Sequence, residues 1–265
     1  MKMDMEVFRQ KHRALYLADP AGYAPFAFWK MQALCADAEA FQLPEHGCYY
    51  VIRDGHLLIY ASPGGRCRIP TDELNRLSAI SLPADLFDEL EDRLTGFEVS
   101  YSECLFYDFS YRSNARDQSA FGIVEFDFAD GNHYRAAAEI INQDDDWLNP
   151  ANIKKMTGFP SFDPRLWFFI EDGATKELIG FCISTYDPSV RETDLDWIFI
   201  RPQHHGRGAG RFMIEEIIRR SRDRSDVIRV GGTVEFYKRC GFYNKRLWVW
   251  AAKPGYRFVA PAIQP

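Results

Sequence analysis

The chain has 265 residues, 46% of them apolar and 15% aromatic, with a formal net charge of −6. That length suits two domains or one large one, and that apolar content excludes intrinsic disorder. Charges run through the first twenty residues and leave no apolar centre for a signal peptide, and no apolar run approaches the roughly 18 residues of a membrane span, so a cytoplasmic protein without membrane partners is expected.

In chain order, AFWKMQALCA (27–36) predicts a helix and YYVIRDGHLLIYAS (49–62) a hairpin turning at Asp54-Gly55. PADLFDELEDRL (83–94) has the spacing of an amphipathic helix, and FEVSYSECLFYDF (97–109) reads as one or two strands. The polar stretch SNARDQSA (113–120) is the best break, giving an N-terminal α+β domain over 1–115 and a second domain over 120–255. The second begins with a strand near Phe121–Phe128, followed by helices at HYRAAAEIINQ (133–143) and NPANIKKM (149–156). A hairpin comes next, LWFFI (166–170) and LIGFCIST (178–185) around Asp172-Gly173, and then the strand LDWIFI (195–200). A helix, the strand SDVIRV (225–230), a short helix and a last strand at LWVWA (247–251) complete an α/β (α+β) order with a mixed central sheet flanked by helices.

The strand ending at Ile200 runs into Gly206-Arg207-Gly208-Ala209-Gly210 and then a helix. Three glycines in a tight turn let successive backbone N–H groups point into one concave space. Met213, Ile214, Ile217 and Ile218 fall on one helix face and Glu215, Glu216, Arg219 and Arg220 on the other, so the helix N-terminus lies at the glycines. Unpaired amides and the positive end of the helix dipole together make an anion site suited to a diphosphate, with Arg207 and Arg211 adding positive charge. No Lys-Ser/Thr follows, which excludes a P-loop, and Gly-x-Gly-x-Gly late in the chain is not the dinucleotide fingerprint.

Residues Ile200, Pro202, His205, Gly206, Arg207, Gly208, Ala209 and Gly210 resemble the pyrophosphate loop of the GNAT acetyltransferase superfamily, and EFYKRCGF (235–242) is similar to its short helix ending in Tyr-x-x-x-Gly-Phe. The resemblance covers roughly residues 121 to 251, with His205 in place of the usual Arg or Gln and Gly231-Gly232 where many members carry Asn. It implies acetyl-CoA as cosubstrate and a primary amine as acceptor. Gly206, Gly208, Ala209 and Gly210 would bind the pyrophosphate, with His205, Arg207 and Arg211 beside it. Backbone groups of Phe199 and Ile200 would pair with the pantetheine arm, and Tyr237 stands where the superfamily carries a general acid.

A general base is sought on the strand before the loop, where Asp194 and Asp196 alternate with Leu195, Trp197 and Phe199, although ion-pair or strand-edge duties suit either acid as well. Residues 201–246 hold twelve Lys or Arg against five Asp or Glu, so the remainder carries a net −13, which fits an anionic ligand in the C-terminal part. That charge is local and lacks a reading helix, so nucleic acid is not an expected partner. Cys35, Cys48, Cys67, Cys104, Cys182 and Cys240 stand singly among apolar neighbours without metal-ligand spacing, and are expected to be reduced packing residues with no metal. An N-acetyltransferase, monomeric or homodimeric, leads; a non-catalytic acyl-CoA-binding module is the alternative. Both halves contain strand, Asp-Gly turn, strand, which suits either a degenerate GNAT-like copy in the first half or an unrelated α+β domain.

Overall fold

A computed structural model describes residues 4–23, 25–35, 38–43, 48–61, 69, 71–112, 120–141, 148–231 and 235–256. In the first part, helices α1 (Met5–Ala18), α2 (Pro20–Tyr23) and α3 (Phe28–Leu34) precede strands β1 (Glu39–Leu43), β2 (Cys48–Arg53) and β3 (His56–Ala61). Helix α4 (Thr71–Arg76), strand β4 (Ala79–Pro83), helix α5 (Ala84–Phe87) and strand β5 (Glu98–Tyr107) follow. The second part runs β6 (Phe121–Glu125), α6 (Gly131–Ile141), α7 (Pro150–Lys155), β7 (Phe162–Asp172), β8 (Leu178–Asp187), β9 (Glu192–Ile200), α8 (Ala209–Ser221), β10 (Val227–Gly231), α9 (Glu235–Arg239) and β11 (Phe242–Ala252). This is the mixed α+β order expected, with helices on mixed sheets.

Two compact units result, one of Met1–Phe106, Gly231–Val234 and Tyr243–Gln264, the other chiefly of Tyr107–Val230 and Glu235–Phe242. The break expected at 113–120 lies, from 113 to 119, outside the described residues. In the first unit β1, β2 and β3 form an antiparallel meander, β4 joins β3 in parallel, and β11 pairs antiparallel to β4. Its core gathers Leu57, Ile80, Leu86, Leu90, Leu94 and Val249. The helix expected over 83–94 is broken into α5 and a 3-10 turn at Glu91–Arg93. Asp85, Asp88, Glu89, Glu91 and Asp92 would stack like charges at i,i+3 and i,i+4 along a continuous helix, while the broken form still buries Leu86, Phe87 and Leu90.

In the second unit β6, β7, β8 and β9 pair antiparallel in turn, and β10 joins β9 in parallel. Helix α7 starts where the Asn149 side chain accepts from the Asn152 amide and Pro150 occupies the first turn. Helix α8 buries Met213, Ile214, Ile217 and Ile218 as its spacing predicts. Glu216, expected on the polar face, is buried as well. Burial alone would raise its carboxyl, but hydrogen bonds from Arg219 and Arg220 outweigh that and hold it below the usual range. Cys35, Cys104, Cys182 and Cys240 are buried; Cys67 lies outside the described residues.

Candidate functional site

The site starts from strand β9 and the ladder beside it. Among the described residues, β10 pairs with β9 from Glu192 to Leu195, opposite Val227 to Val230. From Asp196 to Ile200 the strand changes from buried to half-buried. A bulge falls at the same place, because Ile183 opposes Trp197 while Ser184 opposes Leu195, leaving Asp196 as the extra residue. A bulge bends a strand and re-aims its side chains, and here it takes Asp196 out of the simple alternation with Asp194 that the sequence suggests.

Beyond the bulge the backbone phase can be read from one bond, the Arg201 amide donating to Ile179 O at 2.8 Å. Two-residue alternation then turns the amide and carbonyl of Phe199 toward β8, and those of Ile198 and Ile200 toward the open side. Of the two residues expected to pair with an extended ligand arm, Ile200 thus presents its main chain outward and Phe199 does not. His205 meets that outward side, since its Nε2 donates to Ile200 O at 2.7 Å.

The loop leaves β9 through a 3-10 turn at Pro202–His204 and reaches α8 with Gly206 at φ 76° and Gly208 at φ 100°. Both are left-handed conformations that glycine adopts without a Cβ penalty. Among the described residues no acceptor faces the N–H groups of Gly206, Arg207, Gly208, Ala209 and Gly210, and a Cβ built on Gly206 would meet nothing within 4 Å. Five amides in sequence thus lead into a 13-residue helix, a main-chain arrangement that suits an anion. The diphosphate of a coenzyme fits this donor set, because backbone N–H groups supply the hydrogen bonds without needing a lysine.

The two arginines of the loop are committed rather than mobile. Arg207 donates to Asp172 Oδ2 at 2.7 Å and to His204 Nδ1 at 2.8 Å. Asp172 ends β7 at the turn into β8, where hydrogen bonds from the Thr175 amide, from Arg207 and from the Ala174 amide hold its carboxyl below the usual range. The turn therefore anchors the loop. Arg211 pairs with Glu215 at 2.9 Å and also reaches the hydroxyl of Tyr111 at 3.5 Å. Gly210 is constrained by packing, since a Cβ there would come within 3.2 Å of Phe236 Cζ, which docks α9 on the start of α8.

Helix α9 carries Tyr237 as a half-buried residue between the rings of Phe236 and Phe242, at 5.2 and 5.8 Å. Burial, with a smaller contribution from Cys240, pushes its phenol up to about 12. Asp194 has a different setting from Asp196. It lies opposite Arg229 in the β9–β10 ladder, with Arg229 Nε 3.7 Å from Asp194 Oδ1 and Nη1 4.0 Å from Glu192 Oε2, all three residues buried. This triad closes the described ladder. An arginine between Ile228 and Val230 in an apolar strand was the available signal for it. Among the described residues no group of three His, Cys, Asp or Glu side chains could hold a metal, and no helix is long and apolar enough to cross a membrane.

Residues 163–244 match the family model described as Acetyltransferase (GNAT) domain. Solved structures of similar fold include an acetyltransferase of the GNAT family from Colwellia psychrerythraea, 12% identical, with a TM-score of 0.58 over 96% of this chain and 99% of that one. A tandem GNAT protein from the clavulanic acid biosynthesis pathway is 12% identical, with a TM-score of 0.56 over 97% and 99%. A GCN5-related N-acetyltransferase from Sphaerobacter thermophilus is 14% identical, with a TM-score of 0.55 over 80% and 79%. At these identities the likeness is one of fold. No curated protein matches the sequence.

Proposed function

We propose that this chain, whose residues 163–244 match the GNAT acetyltransferase domain, is an N-acetyltransferase moving an acetyl group from acetyl-CoA to a primary amine in the cytoplasm. The observation that carries this reading is that, among the described residues, the β9–β10 ladder ends at Leu195 and β9 runs on from there to the five amides of Gly206–Gly210. Those amides would hold the pyrophosphate, with His205 and the anchored Arg207 and Arg211 shaping the rim, and the main chain at Ile198 and Ile200 would pair with the pantetheine arm beside Phe199. When bound, acetyl-CoA supplies an activated acyl group with a thiolate leaving group.

Outward amides on the open edge of β9 polarise the thioester carbonyl without reorganising during reaction. Asp196, re-aimed by the bulge, accepts the proton of the ammonium directly or through water. Asp194, buried against Arg229, fixes the strand behind it and adds to the negative potential that favours a cationic acceptor. Tyr237 donates a proton to the departing thiolate. A phenol held at about 12 stays protonated throughout the physiological range, so it is in its donor form when the thiolate leaves.

Thiol release from acetyl-CoA across a panel of polyamines, aminoglycosides and lysine peptides tests the reading, with heat stabilisation by CoA in parallel. At about 100 times its Kd a ligand adds ~2.7 kcal/mol to the folded state. Turnover on one class of amine, with stabilisation, supports the transferase. Stabilisation with no turnover on any amine would make the chain an acyl-CoA-binding regulatory module, and no stabilisation at all would remove both readings.

A further inference from the structure

Residues Tyr107–Arg112 precede the stretch that the family model matches, yet they reach the parts of the second unit that carry the chemistry. The hydroxyl of Tyr111 donates to the carbonyl of Arg239 at 3.0 Å, one of the last carbonyls of α9. The same hydroxyl is approached at 3.5 Å by Arg211 from the first turn of α8. The Tyr111 ring lies against Gly241, where a Cβ would come within 2.5 Å of Tyr111 Cδ1 and Cγ, and Gly241 itself has φ 92°. Two main-chain bonds pin the segment in place, Asp108 N to Gly241 O and Tyr111 N to Asp108 O, both 2.9 Å.

Helix α9 has five residues, too few to hold its own shape, so its position depends on what grips its ends. Phe236 grips the first end, on Gly210. At the other end the grip is Tyr111, through a terminal carbonyl that the helix cannot satisfy itself and through the glycine that starts the return strand. The residue that bridges α8 and α9 thus lies some 50 positions before the family match, about one turn of chain from Tyr107.

We propose that Tyr111 is a positioning residue for the transfer reaction: it clamps the C-terminal end of α9 to α8 and so holds Tyr237 at the leaving sulfur. This rests on the transferase reading, within which Tyr111 touches neither coenzyme nor acceptor and acts through Tyr237. A residue that served stability alone would change rates independently of Tyr237, whereas a positioning residue has nothing left to position once that phenol is gone.

The test has two arms on the full-length chain. In the first, hydrogen exchange of residues 235–242 is compared between wild type and Tyr111→Ala, with 213–221 of α8 as internal reference; exchange about tenfold faster in 235–242 alone is expected, on the scale of one lost hydrogen bond. In the second, kcat and the acetyl-CoA KM are measured for wild type, Tyr111→Ala, Tyr237→Phe and the double variant. Tyr111→Ala should lower kcat about tenfold with KM nearly unchanged, and should have no further effect in the Tyr237→Phe background. Should the alanine variant fail to fold, Tyr111→Phe, which keeps the ring over Gly241 and loses the hydroxyl, carries both arms. Unchanged exchange in 235–242 overturns the proposal, and so do kcat losses that multiply in the double variant. A wild type that turns over no amine yet shows the exchange difference would sink the transferase reading while leaving the clamp in place.

Discussion

Replacing Gly208 by alanine asks whether main-chain conformation, rather than side-chain charge, makes the anion site. Gly208 precedes α8 at φ 100° and ψ −4°, in the left-handed region that costs an L residue about 1–2 kcal/mol. Space is not the obstacle, because a Cβ there would meet only Phe121 Cε2, at 3.9 Å. Alanine must therefore either hold the native backbone under strain or relax to negative φ and turn the neighbouring amides away. Apparent affinity falls with the fraction of molecules that keep the competent loop, so 1–2 kcal/mol translates to about 5- to 30-fold weaker CoA binding. Isothermal titration with CoA measures this directly. Gly208→Asn, whose side chain tolerates left-handed backbone better, should lose less than alanine. If Gly208→Ala binds CoA within twofold of wild type, the amides around positions 206 to 210 are not what holds the coenzyme, and the account of the site fails at its base.

Two other substitutions separate chemistry from scaffolding. Tyr237→Phe should lower kcat about 100-fold or more, as removal of a general acid does, with the acetyl-CoA KM changed little. Because the phenol is pushed up to about 12, its protonated form is the working one and is lost only as pH rises through that value; a pH–rate profile should show no decline from this group between about pH 8 and 10. Arg229→Met should destabilise the fold by about 3 kcal/mol, since it leaves the buried Asp194 and Glu192 without their cation. Urea melts at pH 7 measure the loss, and an unchanged midpoint would show that the triad at the end of the β9–β10 ladder contributes nothing.

The glycine turn and the helix after it were legible in the sequence because each rests on local information. Glycine spacing sets the turn, and the apolar stripe of Met213, Ile214, Ile217 and Ile218 sets the helix that opens there. What the sequence withholds is pairing at a distance. Asp172 reads as a turn residue whether it serves only its own turn or also Arg207, 35 positions on. Where the described β9–β10 ladder ends is a matter of register, which a strand pattern does not encode, and the bulge at Asp196 shifts a parity that the alternation of Asp194 and Asp196 seemed to fix. Helix α1 buries Phe8, His12 and Tyr16 on one face, but a stripe of one phenylalanine, one histidine and one tyrosine among charges does not advertise a helix.

From β1 to α5 the first unit repeats the element order of β7 to α9, but the two parallel junctions differ in burial. The antiparallel strands β1–β3 are followed by α4, a strand parallel to β3 and α5, and the antiparallel strands β7–β9 by α8, a strand parallel to β9 and α9. Past its junction β9 is half-buried, whereas Leu57, Leu58 and Ile59 of β3 are no more than 2% exposed, and β4 is buried at every position. Where the second unit places Asp194 against Arg229, the first places His56 against Ser81 at 3.1 Å, with burial driving the imidazole down to about 4 so that it stays neutral. The crossover helix α4 has six residues against thirteen in α8, too short to gather the dipole and open amides that hold a diphosphate; Gly64 and Gly65 before it lie outside the described residues. A half whose parallel junction is filled with core has no room for an extended arm, so CoA should titrate to a single site per chain, with the Gly208→Ala variant losing that site and exposing no second one. A stoichiometry of two, or residual tight binding in that variant, would mean that the buried junction of β3 and β4 opens to ligand and that core burial is the wrong criterion for telling the two halves apart.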